Sequence, residues 1–248
     1  MRISIITATF NSEIFITDCL KSVAEQDYHN IEHIIIDGGS SDATLSLVKR
    51  FPHISFVLSE SDRGIYDAIN KGIEHATGDL IGILNSDDFF SDSTTVSRIV
   101  ASFREKSVDA VFSDVSFVKR EDKHAQVRYY SSAFFKPWMF QFGFQPAHPT
   151  FYVRKNLFEM YGKYRTDLRI AGDFELLLRF LSRHGVRYKY VKDLWVKMRI
   201  GGISTSGVAS VIALNREILK AHRQNELYSN MVFIYSKYLF KWWGFLRK

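Results

Sequence analysis

The 248-residue sequence predicts an α/β protein built on a doubly wound, mostly parallel sheet flanked by helices, with amphipathic helices at its C-terminal end. Short apolar runs rich in isoleucine recur through the first hundred residues, separated by stretches with apolar residues at helical spacing. Each run stops on a polar turn. A content of 46% apolar and 15% aromatic residues is enough for one large domain, or a domain with an appended lobe, around a real core. It excludes low-complexity disorder, a collagen-like chain and a disulfide-stapled miniprotein.

The elements follow in order. Ile3-Ser4-Ile5-Ile6 is a buried-strand run that ends in a polar turn, residues 7–12. Ile16, Leu20 and Val23 mark a helix over residues 13–26, with Asn11 or Ser12 placed to cap it. His33-Ile34-Ile35-Ile36 is the second strand, stopped by Asp37-Gly38-Gly39, and Ser41 can cap the helix in which Leu45 and Val48 face inward. A third strand covers residues 54–58. Ile65, Ile69 and Ile73 mark a third helix, and residues 80–84 form a fourth strand ending at Asn85-Ser86-Asp87-Asp88. Beyond residue 100 the rhythm changes. Residues 110–119 and 126–131 read as longer, more exposed strands around a charged turn, followed by an aromatic loop with Pro137, Pro146 and Pro149. A helix over 174–183, strands at 188–191 and 195–198, a glycine-rich loop at 201–207 and terminal helices complete the chain. No internal repeat or low-complexity linker interrupts it. The expected organisation is a first half at 1–110, a second half of the same domain at 111–205, and a helical tail at 206–248.

Charge divides unevenly. Residues 1–100 carry 7 Lys and Arg against 15 Asp and Glu, whereas the remaining 148 carry 26 against 12, for a net +6. The acidic half suits a cation; the basic half suits anions or an anionic surface, unless it serves solubility alone. Zinc-finger spacing, RNA-binding aromatic signatures and a continuous basic helix are lacking, so nucleic acid is not an expected partner. The lone Cys19 fits a reducing compartment. The N-terminal sequence reads as a strand rather than a signal peptide, and no run of about 18 apolar residues predicts a membrane span. A cytoplasmic protein is the expectation.

Ligands of parallel sheets bind beyond the carboxyl ends of the strands. Three polar clusters stand at such ends, at 7–11, 37–42 and 85–88, and should converge on one site. Neither G-x-G-x-x-G nor a Walker-type phosphate loop is present, which disfavours a dinucleotide oxidoreductase or a P-loop enzyme. Asp87-Asp88, without histidine or cysteine nearby, suits a hard cation such as Mg²⁺ or Mn²⁺, or else is a helix cap followed by a solvated acidic turn.

Here the sequence resembles the family 2 glycosyltransferases, inverting sugar transferases with the GT-A fold. The matching blocks are residues 4–11 (SIITATFN), 36–44 (IDGGSSDAT), 59–72 (SESDRGIYDAINKG), and Gly78-Asp79 with residues 84–88 (LNSDD). Beyond these, the likeness thins to His148-Pro149-Thr150, Gly172-Asp173-Phe174-Glu175 and residues 199–204. The resemblance implies that Thr7, Thr9 and Asn11 line the base and ribose pocket and that Asp37 accepts a hydrogen bond from the nucleobase, which favours uridine. Asp62 and Lys71 would flank the base and sugar, with Arg63 and Asn70 beside them or merely on a solvated helix face. Asp88 would be the principal metal ligand, with Asp87 nearer the ribose or sugar. Asn85 stands where a stricter D-x-D motif would carry an acid.

An inverting transfer needs a base within reach of the acceptor hydroxyl. Asp173, after a glycine and before an apolar helix, fits that role and matches where the family places it; Glu175 is the rival, and a plain helix cap the alternative. His148 can contact metal or phosphate, act as a second base, or be structural. Arg199 with Gly201-Gly202 reads as a flap that clamps the diphosphate. In the tail, Lys237, Lys241, Gly244 and Lys248 share one helical stripe. Phe233, Ile234, Tyr238, Leu239, Trp242, Trp243, Phe245 and Leu246 oppose them, as in a helix lying on an anionic bilayer or packed on the core or a second subunit. The expected activity is therefore metal-dependent inverting transfer from a nucleoside diphosphate sugar, most naturally a UDP-sugar, to a saccharide or lipid-linked acceptor. It would serve surface polysaccharide, lipopolysaccharide or glycolipid synthesis at the cytoplasmic face of a membrane. A nucleotidyltransferase, a non-catalytic binding module and a homo-oligomer remain open alternatives at this stage.

Overall fold

In the computed structural model, which describes residues 1–105, 107–201 and 207–246 with side chains through residue 239, strand β1 (Ile3–Thr9) is buried along its whole length. It runs parallel to β2 (Ile31–Asp37) on one side and to β4 (Leu80–Ile83) on the other, with β3 (Ile54–Ser59) parallel beyond β2. Burial on both faces explains the unbroken isoleucine runs. Alternate residues serve opposite layers. Ile6 and Ile34 meet α3 (Ile65–His75) and the later helices, while Ile3 and Ile5 meet α1 (Ile16–Ala24).

The second half joins the same sheet in mixed directions. Strand order is β3-β2-β1-β4-β8-β6-β9-β5, with β7 (Gln126–Tyr130) paired to β6 (Ala110–Val118). β8 (Tyr152–Arg154) runs antiparallel to both β4 and β6. β9 (Tyr188–Arg199) is parallel to β6 and antiparallel to β5 (Phe89–Phe90). The expected GT-A type mixed sheet is thus present.

Several local expectations fail for identifiable reasons. β6 is buried rather than exposed, because β8, β9 and β7 cover its edges and Ser113 and Asp114 find internal partners. Residues 188–199 form one strand instead of two. The helix read over 174–183 begins earlier, as α6 (Gly172–Leu178), and continues as a wider π turn over Arg179–Arg183. Neither Asn11 nor Ser12 caps α1 by its side chain, and at α2 (Thr44–Val48) it is Asp42, not Ser41, whose carboxylate takes the Thr44 N–H at 3.0 Å. Helices α4 (Thr95–Ser102) and α5 (Asn156–Tyr161) were not expected.

The chain ends in a helical hairpin, α7 (Val208–Gln224) and α8 (Met231–Leu246), resting on α6 and on a 3₁₀ turn at Pro137–Phe142. Of the expected lysine stripe, the described member Lys237 does not face solvent. Lys237 is 4% exposed and donates to Asn215 Oδ1 at 2.9 Å, with its ammonium 5.3 Å from the Tyr238 ring centroid. Ile234 is buried, and Phe233 stacks on Phe142 with centroids 5.1 Å apart. Val232, Tyr235 and Leu239 face outward instead. The side chains of the remaining tail positions singled out above, Lys241 to Lys248, lie outside the described residues.

Candidate active site

The carboxyl ends of β1, β2 and β4 lie on one edge of the sheet, and their loops interlock. Asn11 adopts a left-handed φ of 46° and accepts the Ser41 N–H at 2.9 Å, while its own N–H donates to Ser40 Oγ at 2.8 Å. Ser12 and Ser86 hydroxyls meet at 3.0 Å, tying the first loop to the Asp87-Asp88 turn. Asp37 is fully buried at the end of β2. Its carboxylate accepts from Gly39 N (3.2 Å), Ser40 N (3.0 Å), Ser59 Oγ (2.7 Å) and the Ser40 hydroxyl. The expected nucleobase acceptor is therefore already occupied by its own loop, and it acts as the organiser of that loop.

Asp62 leans over this turn. A Cβ on Gly38 would stand 2.4 Å from Asp62 Oδ2, so a side chain there would push the Asp62 carboxylate aside. Lys71, on α3, pairs with Glu60 at 2.8 Å and donates to Ser61 O at 3.3 Å, bracing the segment that carries Asp62; the Glu60 carboxylate, with the charges of Asp67 and Asp62, holds its pKa above the ordinary lysine value. Thr9 is 4% exposed and its hydroxyl has no hydrogen-bond partner, a buried polar atom at the strand end that a polar ligand would satisfy. Thr7 does not reach the pocket. It points into the core, where its hydroxyl meets His33 Nε2 at 3.1 Å, and His33 Nδ1 meets His53 Nε2 at 3.0 Å.

Asp88 is 2% exposed and takes the Asn85 side-chain amide at 3.1 Å. Burial, reinforced by the neighbouring Asp87 charge, pushes its pKa well above the usual carboxylate range. A buried oxygen ligand whose charge is so poorly compensated fits a hard divalent cation. Among the described residues, no group of three or more His, Cys, Asp and Glu side chains gathers as a metal cage.

Arg199 corrects the flap expectation. It terminates β9, is 7% exposed, donates to the Asp87 carbonyl at 2.7 Å and pairs with Asp18. The Phe15 and Phe89 rings flank its guanidinium at 4.8 and 5.1 Å. With its guanidinium committed to these contacts, Arg199 fixes the Asp87-Asp88 turn and is not free to sweep over a ligand. Gly202 and residues 203–206 lie outside the described residues.

Asp173 sits in the first turn of α6, partly buried. Oδ2 contacts His148 Nδ1 at 3.1 Å and Gln145 Nε2 at 3.2 Å; Oδ1 accepts from Tyr66 Oη at 3.2 Å. Burial and the Asp173 charge raise the Tyr66 pKa well above normal, keeping the phenol a donor. Gly172 makes the contact possible, since a Cβ there would stand 2.6 Å from the Tyr66 ring. His148 therefore partners Asp173 through its ring nitrogen. Tyr66 and Gln145 were missed by sequence reading; their only signal is proximity to the matched blocks and to the aromatic loop.

Glu175 does not compete for the role. It is 1% exposed, makes a bidentate pair with Arg179 (3.0 Å for both bonds) and accepts from Asn225 at 3.0 Å. Asn70 exchanges two hydrogen bonds with the Tyr164 backbone, at 2.8 and 2.9 Å, which is a structural clasp. The Arg63 side chain is 81% exposed and bonds Asp67 in the first turn of α3 at 3.1 Å, so it remains a solvated surface group.

Residues 4–166 match the family model described as Glycosyl transferase family 2. A Mycobacterium bovis relative, described as a PGL/p-HBAD biosynthesis glycosyltransferase, is 28% identical over 209 residues, covering 82% of this chain and 79% of its own. An uncharacterized glycosyltransferase of Mycobacterium tuberculosis is 42% identical over 106 residues, covering 42% of this chain and 40% of that one. Among solved structures, S. aureus TarS in complex with UDP-GlcNAc aligns with a TM-score of 0.67 at 19% identity, over 91% of this chain and 65% of that one. The mannosyltransferase PcManGT from Pyrobaculum calidifontis, in complex with GDP-Man and Mn²⁺, gives 0.64 at 21% identity, over 90% and 63%. The chain thus spans less than two thirds of these solved chains, and at such identities they speak for the fold. Since the family match covers more than half of the sequence and takes in the interlocked loops of the sheet edge, the chain belongs to glycosyl transferase family 2.

Proposed function

We propose that this protein transfers a sugar, with inversion, from a nucleoside diphosphate donor, most naturally a UDP-sugar, to a saccharide or lipid-linked saccharide acceptor. The observation that carries the reading is the contrast between the surroundings of two carboxylates. Asp88 is buried and poorly compensated at the donor-side strand ends, whereas Asp173 is partly exposed and ringed by donors. Asp87 and Asp88 would hold Mn²⁺ or Mg²⁺. Such an ion, when bound, supplies charge neutralisation to a departing diphosphate.

This chain's own residues do the rest. The Thr9 hydroxyl and the Asn11 and Asp62 loops would receive the nucleoside. Asp37 keeps the β2 turn in shape, and Arg199 keeps the Asp87-Asp88 turn in place. Asp173 would accept the acceptor hydroxyl's proton as that oxygen attacks the anomeric carbon from the face opposite the leaving group, converting an α-linked donor into a β-linked product. Tyr66, Gln145 and His148 hold Asp173 oriented for that transfer.

We further propose a peripheral position at an anionic, cytoplasmic membrane face. No helix among the described residues is long and apolar enough to cross a membrane. Support comes from the outward stripe of Val232, Tyr235 and Leu239 together with the basic bias beyond residue 100. Flotation with anionic vesicles tests this: equal flotation of a variant lacking residues 229–248 refutes it.

The primary test is calorimetric titration of UDP, GDP and TDP with and without Mn²⁺, repeated on Asp88→Asn. Tight UDP binding that needs both the metal and Asp88 is expected. Metal-independent binding removes the role given to Asp88, and no binding of any nucleotide refutes the donor site.

A further inference from the structure

The lead-in to α6 is held from two sides by elements far apart in sequence. Three successive backbone N–H groups, of Arg169, Ile170 and Ala171, converge on the single carboxylate of Glu217 on α7. Arg169 N lies 3.0 Å from Oε1 and 3.1 Å from Oε2, while Ile170 N and Ala171 N lie 2.8 Å from Oε2. From the other side, Tyr66 Oη reaches the Ile170 carbonyl at 2.8 Å and Asp173 Oδ1 at 3.2 Å. Gly172, between these anchors, lies flat against the Tyr66 ring. Nothing but this clamped tripeptide and Gly172 separates Glu217 from the base.

We infer that Glu217 is a positioning residue for Asp173, setting the position and direction of the first turn of α6 from the C-terminal hairpin. The inference rests on the reading of Asp173 as base. Consecutive N–H groups form a concavity suited to an anion, and charge-assisted bonds to a carboxylate are about twice as strong as neutral ones. A glutamine of the same shape offers one acceptor oxygen and turns an NH₂ group toward a row of donors, so it must abandon at least one bond. Displacement of a catalytic group by about 1 Å costs on the order of 100-fold in rate. Lys220, one turn further along α7, pairs with Asp167 at 2.7 Å but touches none of the three amides, and it serves as the control.

The experiment compares full-length wild type, Glu217→Gln, Glu217→Ala and Lys220→Ala. Amide hydrogen exchange at Arg169, Ile170 and Ala171, NMR of the His148 ring, UDP affinity in the presence of Mn²⁺, turnover and melting temperature are measured for each. Glu217→Gln is expected to speed exchange at the three amides at least 10-fold and to shift the His148 ring resonances through its partner Asp173. It should lower kcat about 10-fold, and Glu217→Ala about 100-fold, with UDP affinity within twofold of wild type. Lys220→Ala should leave all of these unchanged. Unaltered exchange and His148 resonances in Glu217→Gln overturn the inference, as does a loss of kcat that Lys220→Ala reproduces. If wild type transfers sugar from no nucleotide donor, the transferase reading fails. The exchange and ring-resonance results still decide whether Glu217 holds Asp173.

Discussion

Asp37 and Asp173 mark opposite ways of building one site. Asp37 takes three of its four hydrogen bonds from Gly39 and Ser40, within three residues of itself, and the fourth from the adjacent strand. Asp173 takes its bonds from Tyr66 and Gln145, 107 and 28 residues away, and from His148. The parallel half writes its loops locally, at strand ends that the sheet aligns without further help. The mixed half borrows its geometry from distant elements. A local turn survives changes elsewhere; a borrowed one depends on every lender.

The comparison can be broken most forcefully at Asp173. Asp173→Asn should lower kcat on the order of 1,000-fold, within the range for removal of a general base, and leave UDP affinity unchanged in calorimetry. Equal loss of UDP binding would show that the two halves are not separable. Next in size is Glu175→Ala, which strands the Arg179 guanidinium in a buried site and should cost about 3–5 kcal/mol in urea unfolding. An inactive Glu175→Ala protein of wild-type stability would reinstate Glu175 as base.

The parallel half has its own weak point in the His33–His53 pair. Burial drives the His33 pKa from 6.5 down to about 3, and lowers that of His53 as well, so His33 stays neutral in the folded protein until the pH approaches 3. The unfolded chain takes up protons below about pH 6.5 that the folded chain refuses. Stability is therefore fully present above that pH and falls as pH drops toward 3, by up to about 1.4 kcal/mol per pH unit for His33. Urea midpoints between pH 7 and 4 check this, and a flat profile contradicts it. The smallest effect is expected for Tyr66→Phe. Loss of a bond worth about 1 kcal/mol should lower kcat roughly fivefold without changing UDP affinity.

Legibility in the sequence follows the same divide. β1, β2 and β4 were readable because buried parallel strands are continuous apolar runs, and the polar clusters at their ends converge as topology requires; β3, at the sheet edge, is half-exposed along its length and showed itself by its β-branched and aromatic residues. β5 and β8, of two and three residues, are too short to carry a period. β6 misled because Ser113, Asp114 and Ser116 mimic a solvated face, yet Asp114 is buried and bonded to Tyr129, Tyr190 and Ser132. At the candidate site, Asp88 and Asp173 could be singled out from the turns that carry them. Thr7, Asn70 and Arg199 were assigned outward roles that the folded contacts reverse, because a side chain's direction depends on neighbours absent from its own segment. Lys237 is the same lesson in a helix: its charge argued for solvent, and Asn215 on α7 turned it inward.

The reach from Ala171 to Glu217 spans 46 residues. A growing chain leaves the ribosome from its N-terminus, so the loops of β1, β2 and β4 can settle while α7 is still unmade. Until Glu217 emerges, the lead-in to Asp173 lacks one of its two anchors. In a nascent chain the turns of the parallel half would thus be formed before Asp173 has its full support, and the emergence of Glu217 would itself be the step that sets it.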